Sequence, residues 1–381
     1  MEQFLKKVRF LFTILIIVGV FWFFYGEKLR ESGFQAAFSE LKSDVTSLKN
    51  SPEVSSGMEK LKDGARNLFG MVNEKLDSSL DKEQPDVNPV KKPSLATPKQ
   101  AFSIHNIELG DSKADVESQV GTPKRSSLNE YGVEWHAYHE NYQNFFMVAY
   151  DEQEKVAGFY TNQDLISSKQ GLKLGTTKET VLSQLGNPLT KIQKGLTFYQ
   201  LDNEEYNTFH IDHSYITVFY DKHENNTVTA LQIISDNLEA KKRDFFGKPS
   251  PYLKEGFEYQ LFDLTNAARV NHNLGVLSWN NAVRKTARDH STDMAVHNYF
   301  NHTNLEGESP FDRMEADAIT FRMAGENLAA GQQSSIFAHE GLMNSLGHRE
   351  NKLRPEYQEL GVGVDFNSES RPYFTENYVM E

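Results

Sequence analysis

The chain has 381 residues, with 40 Lys and Arg against 53 Asp and Glu, a formal charge of −13, and 38% apolar residues including 26 Phe and 16 Tyr. That length suits two folded domains with flanking segments, and the acidic balance argues against partners held by phosphate neutralisation, whether nucleic acid or an anionic membrane surface. No cysteine is present, which rules out a disulfide framework, a thiolate nucleophile and a thiolate metal site.

Lys6, Lys7 and Arg9 precede an apolar run from Phe10 to Tyr25 broken only by Thr13 and Gly19. The run is longer than the core of a cleavable signal but short for a span, which needs about 20 residues. No small-x-small site follows it. We expect a short cytoplasmic N-terminus (1–9), a signal anchor over 10–26, and the remainder of the chain outside the cell. Secretion after cleavage and a buried core helix are the alternatives. Residues 27–100 are polar, with two weakly amphipathic stretches (Phe34–Leu48 and Met58–Leu80) and then Pro85, Pro89, Pro93 and Pro98. Such a composition reads as an extended stalk.

The segment 101–240 contains an internal repeat. Leu109-Gly110-Asp111-Ser112-Lys113 with Val116, Gln119, Val120, Gly121 and Pro123 recurs 65 positions later as Leu174-Gly175-Thr176-Thr177-Lys178 with Val181, Gln184, Leu185, Gly186 and Pro188. Each unit predicts a short helix capped by Ser112 or Thr177, with Val116/Val120 or Val181/Leu185 facing inward, and ended by Gly121 or Gly186. Two strand runs joined by polar turns follow each helix: Asn144–Asp151 with Lys155–Tyr160, and Tyr215–Asp221 with Thr227–Ile233. The expectation is a duplicated, mainly β domain. Its histidines (105, 136, 139, 210, 213 and 223) are scattered, and the loop holding His210 and His213 offers no third ligand. The following linker, Asn237–Lys254, is charged and compatible with docked or independently swinging domains.

From 254 onward the spacing of Phe257, Leu261, Leu264 and Ala268 predicts a helix over Gly256–Asn273. A second helix is expected over Asn280–Asn298, with Val283, Ala287, Met294 and Val296 inside and Arg284, Lys285, Arg288 and Asp289 solvated. His290 and Asp293 on it read as structural. A loop at Tyr299–Thr303, a short helix Phe311–Ala316, a helix through Ala338–Asn344, a turn at Gly347-His348-Arg349, and strands Leu360–Asp365 and Tyr373–Val379 complete the pattern. Asn327 and Asn377 read as fixing loop backbone. Helices placed before and between strands predict a sheet covered on both sides.

The stretches Tyr299–Thr303, Gly325–Ala330, Glu340–Ser345, Gly347–Arg349, Leu360–Val364 and Tyr373–Tyr378 resemble, in order, the motifs of the CAP superfamily (cysteine-rich secretory proteins, antigen 5 and pathogenesis-related proteins). The repeat ahead of them resembles the CAP-associated N-terminal domain of Gram-positive bacterial proteins. The resemblance implies an α+β chain whose C-terminal domain (254–381) is an α–β–α sandwich. Its cleft would receive two histidines and two glutamates, here His302, Glu326, Glu340 and His348. Leu342 stands where the family usually has Trp, and the family's eukaryotic disulfides are absent.

Two imidazoles and two carboxylates make a candidate site for zinc or another divalent ion, with His302 and His348 as the metal ligands. Affinity is then expected to rise with pH through about 6–7. His339-Glu340 is followed by Gly341 and Leu342, and the next histidine is His348, so no H-E-x-x-H helix is present. The leading expectation is a non-enzymatic cell-surface protein that binds a small hydrophobic, lipid or peptide ligand, with a cell-envelope partner for 101–240. The alternatives are a metal-assisted hydrolase with a glutamate as general base, and a structural or interaction module.

Overall fold

The computed structural model describes residues 89–201 and 204–381; the expected anchor and the stalk up to residue 88 lie outside them. Among the described residues no helix is long and apolar enough to cross a membrane.

The first domain begins with β1 (Phe102–Ile104) and α1 (Lys113–Val120). The meander β2 (Arg125–Leu128), β3 (Glu134–Glu140), β4 (Gln143–Tyr150) and β5 (Val156–Thr161) follows, then β6 (Ile166–Ser168). Next come α2 (Lys178–Leu185), the hairpin β7 (Lys191–Lys194) and β8 (Thr197–Gln200), then β9 (Tyr206–Ile211), β10 (Ser214–Asp221) and β11 (Thr227–Ser235). One seven-stranded sheet results, in the order β2-β3-β4-β5-β11-β10-β9, with every pairing antiparallel.

The two sequence units make the same bonds. Ser112 Oγ accepts from Asp115 N, and Thr177 Oγ1 from Thr180 N. Gly110 N donates to Val156 O and Gly175 N to Val228 O, so each helix is tied to the second strand of its own hairpin. Gly121 and Gly186 end the helices at φ 81° and 80°, where a β-carbon would be strained. The two hairpins meet through β5 and β11 at the sheet centre.

That sheet is buried on both faces. One face carries Phe146, Val148, Phe159, Val218 and Ile233 beneath Val116 and Val181 of the two helices. The other carries Trp135, Phe145, Met147, Tyr160 and Phe219, packed with Leu264, Ala267, Ile336 and Phe337 of the second domain. The domains are therefore docked. Of the two arrangements that the linker allowed, the docked one is seen: its start belongs to a short helix, α3 (Asp236–Glu239), and Leu238, Glu239 and Lys242 are buried.

The second domain opens with α4 (Pro251–Asn271), five residues earlier than the spacing predicts, because Ser250 caps it and Pro251 occupies the first turn. Gly256 sits where α4 crosses β2, since a β-carbon there would lie 2.0 Å from Leu128 O. After β12 (Ser278–Trp279) comes α5 (Asn281–His297), capped by Asn280 and stopped by a left-handed Asn298. Then follow α6 (Pro310–Ala316), β13 (Met323–Ala330), α7 (Ser335–Asn344), α8 (Leu346–Lys352), β14 (Glu359–Phe366) and β15 (Pro372–Met380). The sheet order is β12-β14-β15-β13.

The Leu-Gly-Val-Gly-Val run in β14 explains the three layers. Leu360, Val362 and Val364 face the core formed with Phe257 and Leu261 of α4. Gly361 and Gly363 face α5 so closely that β-carbons would stand 2.2 and 2.1 Å from its backbone. Several expectations are corrected by this packing. Val296 is exposed and Ala295 is inside. Arg284 and Arg288 are paired with the buried Glu258 instead of being solvated. His348 lies in helix α8 and not in a turn. Asn327 and Asn377 lie in strands.

Beneath the sheet, Lys352 at the end of α8 pairs with Glu376 of β15, both fully shielded from water. Glu376 also accepts from Thr265 (3.2 Å), Asn327 (3.2 Å) and Tyr378 (2.7 Å). Removing one member of such a pair strands a buried charge, at a cost of about 3–5 kcal/mol. Lys352→Met is expected to lower stability in urea unfolding by that amount; a loss below about 1 kcal/mol, the level of an exposed pair, would contradict this reading.

Candidate functional site

His302 sits in the loop between α5 and α6, and its position is set by backbone bonds on either side. Asn301 O accepts from His290 Nε2 (3.0 Å), and His302 O accepts from Arg313 Nη1 (2.8 Å). The Ser309–Asp312 capping box and Pro310 start α6, which carries Arg313. Glu326, in β13, has its carboxylate shielded from water and both oxygens engaged. His302 Nδ1 lies 2.9 Å from Oε1, and Arg313 Nη2 donates to Oε2 at 2.7 Å. Gly325 precedes it because Tyr357 Oη would lie 2.2 Å from a β-carbon there.

His348 comes from the first turn of α8. Its Nδ1 lies 2.7 Å from Ser345 Oγ, and its carbonyl accepts from Asn327 Nδ2 at 3.1 Å. Burial lowers its pKa, as do His302 and Lys352, while Glu376 opposes the shift. The ring is thus kept neutral near pH 7. Both imidazoles spend Nδ1 on a protein oxygen, and neither Nε2 has a hydrogen-bond partner among the described residues. This is the arrangement in which an outer partner orients a histidine whose other nitrogen serves a ligand.

His302, Glu326 and His348 line one open cavity of about 350 Å³, together with Asn327, Glu350 and Asn351. No large apolar side chain lines it. Phe300 and Leu346, adjacent in sequence to this lining, are more than half exposed.

Glu340 does not join them. It shares a face of α7 with Ile336 and Phe337, four and three residues earlier, and that face packs against the first domain. There it is 4% exposed and accepts a 2.5 Å bond from Tyr160 Oη. The place facing His348 is taken by Ser345. Burial pushes the Glu340 carboxyl up to about 7.

Sequence reasoning missed Arg313, Ser345 and Glu376. Arg313 falls in a short polar helix with no pattern to mark it, and the other two act only across the fold. In the first domain, Asp236 of α3 supplies the acid that the His210/His213 loop lacks: His210 Nε2 lies 2.7 Å from Oδ1 and His213 Nδ1 3.6 Å from Oδ2. Among the described residues no group of three His, Asp or Glu is arranged to hold a metal ion.

Comparison with known proteins agrees with this architecture. Residues 109–245 match the CAP-associated N-terminal family and residues 262–378 the cysteine-rich secretory protein family. The chain is thus a CAP-domain protein carrying a CAP-associated N-terminal domain. It is 28% identical over 291 residues to the uncharacterized membrane protein YlbC of Bacillus subtilis (strain 168), covering 71% of this chain and 82% of that one. It is 36% identical over 130 residues to the uncharacterized protein YkwD of the same organism, of which it spans about half (49%), using 34% of its own length. Among solved structures, an extracellular protein containing a SCP domain from Bacillus anthracis (strain Ames) superposes with a TM-score of 0.63 at 25% identity. That match covers 77% of this chain and all of the other. A cysteine-rich secretory protein from Staphylococcus aureus (subsp. aureus Mu50) shares the fold, with a TM-score of 0.57 at 15% identity over 75% of this chain and 97% of that one.

Two outcomes test the site's construction. Arg313→Met leaves Glu326 charged and shielded without its cation, so urea unfolding is expected to show a loss of about 3–5 kcal/mol. A stability within about 0.5 kcal/mol of wild type would contradict the ion pair's role. For Glu340, a carboxyl raised from 4.5 to about 7 holds a proton in the folded chain that the unfolded chain has released. Its contribution is full below pH 4.5 and is lost as pH rises through 7. Glu340→Gln, which keeps an acceptor for Tyr160, should therefore gain melting temperature relative to wild type on going from pH 5 to pH 8. Calorimetry showing a constant difference would refute the shift.

Proposed function

We propose that this chain is a cell-envelope binding protein whose CAP cleft captures a peptide-like ligand through the Nε2 atoms of His302 and His348. The observation that carries the reading is the commitment of both Nδ1 atoms, to Glu326 and to Ser345, which leaves two oriented imidazole nitrogens at one cavity. The polar lining, with the exposed Phe300 and Leu346 next to it in sequence, suits backbone amides and an apolar side chain better than a sterol or a lipid tail.

Zinc or a similar ion would be held by the two Nε2 atoms, with the ligand or water completing its coordination, and would supply a fixed positive charge for a carboxylate or carbonyl. His348, kept neutral by burial, is already in the ligating form. The hydrolase reading is weakened because neither expected carboxylate is free to act as base: Glu326 is tied at both oxygens and Glu340 lies elsewhere.

The envelope location rests on the apolar run at 10–26, the polar segment that follows it, and the names of the B. subtilis membrane protein and the B. anthracis extracellular protein. A single-pass anchor with a cytoplasmic N-terminus is the topology we propose. We also read 101–240 as a duplicated unit, on the repeated bonds around Gly110 and Gly175. Its role is to brace the CAP domain.

Calorimetric titration of the full chain in detergent at pH 7.5 with zinc chloride, beside the His302→Ala/His348→Ala variant, tests the metal. Binding lost in the variant is expected, and binding unchanged would remove zinc from the proposal. Selection of displayed peptides on the same two proteins tests the ligand class. Enrichment on wild type alone is expected, and equal enrichment on both would overturn the cleft as the binding site.

A further inference from the structure

A second cavity, of about 190 Å³, opens at the seam between the two domains, away from the histidine cleft. Four rings line it: Tyr206 and Phe219 from β9 and β10, Phe245 from the segment after α3, and Phe337 from α7. Phe337 stands edge to face against two of them, 5.1 Å from Phe219 at 71° and 5.1 Å from Tyr206 at 84°.

Several acceptors lie beside those rings. Glu340 is 4% exposed and gives one carboxylate oxygen to Tyr160, while its other oxygen has no hydrogen-bond partner among the described residues. The amide oxygen of Gln332 is buried and likewise without a partner. Glu205 adds a second carboxylate, itself paired with Lys222 at 2.7 Å. Between the two acids, Gly341 leaves open space: a β-carbon there would meet nothing nearer than Glu205 Oε2, at 4.0 Å. Buried acceptors without donors are costly, and ring faces attract positive charge.

We infer that this seam is a binding site for an organic cation, an alkylammonium or alkylguanidinium group of the size of a lysine or arginine side chain. The cation would place its N–H donors on the free oxygen of Glu340 and on Gln332, and its methylene groups against the rings. Since the cavity walls come from both domains, the occupant would also cross-link them. The inference is independent of the histidine cleft and of its metal.

The test uses the full chain at pH 8, with n-butylammonium and n-butylguanidinium as probes and 1-pentanol as an uncharged analogue, followed by ligand-observed NMR. At least one cation is expected to bind saturably, about tenfold or more tighter than pentanol. Glu340→Gln removes the charge and keeps the shape, and is expected to weaken the cation by about tenfold. Gly341→Leu, whose β-carbon would meet nothing nearer than 4.0 Å, fills the open space and is expected to abolish binding. No saturable binding by either cation, equal binding of pentanol, or cation binding indifferent to both substitutions would overturn the proposal. The wild-type comparison of cation with alcohol decides the matter even where a variant fails to fold.

Discussion

Lys352 and Glu376 meet in a place that water does not reach, and the second domain is assembled around them. Glu376 lies on β15, accepts from Thr265 of α4 and Asn327 of β13, and holds the ammonium at the end of α8. Arg269 of α4 takes the carbonyls of Lys352 and Arg354 from the same side. One carboxylate thus fixes the strand that bears Glu326 against the helix that bears His348. The carboxylate is satisfied on several sides, which is the condition for a buried ion to persist without acting as a defect.

The histidine cleft inherits its geometry from that centre. Asn327 reaches both Glu376 and the carbonyl of His348, so adjacent residues of β13 serve different layers, Glu326 toward the cleft and Asn327 toward the core. Arg313 completes the arrangement from outside by joining Glu326 to the loop of His302. What emerges is a pair of rings whose inner nitrogens are fixed and whose outer nitrogens are unspent, a geometry suited to holding a ligand or an ion.

Docking of the first domain changes the meaning of α7. Its buried face, Ile336, Phe337 and Glu340, belongs to the interface with the seven-stranded sheet. Further contacts seal the two domains: Arg125 and Tyr142 on Asp263, and Arg349 on Asp221. Glu340, assigned to the cleft by motif order, is instead an interdomain acid.

Motif and periodicity carried the elements well. The Asn280–Asn298 helix fell within one residue of its ends because its caps are local side-chain chemistry. The repeat declared its helices and hairpins because Ser112, Thr177 and the paired glycines act within a few residues of themselves. The strand at Met323–Ala330 escaped notice, since Gly-Glu-Asn-Leu-Ala-Ala has neither alternation nor β-branched residues and is a strand only through its pairing with β15.

The sequence by itself determined the elements, their order, the family motifs and the pair His302 and His348, because each of these depends on neighbours along the chain. Only the tertiary structure decided which acid faces which histidine. Glu340 lies inside α7 on the face turned to the first domain, whereas Ser345 lies in the extended link between α7 and α8, beside His348. The acid is held by Tyr160, 180 residues away in sequence, while Ser345 meets His348 three residues on.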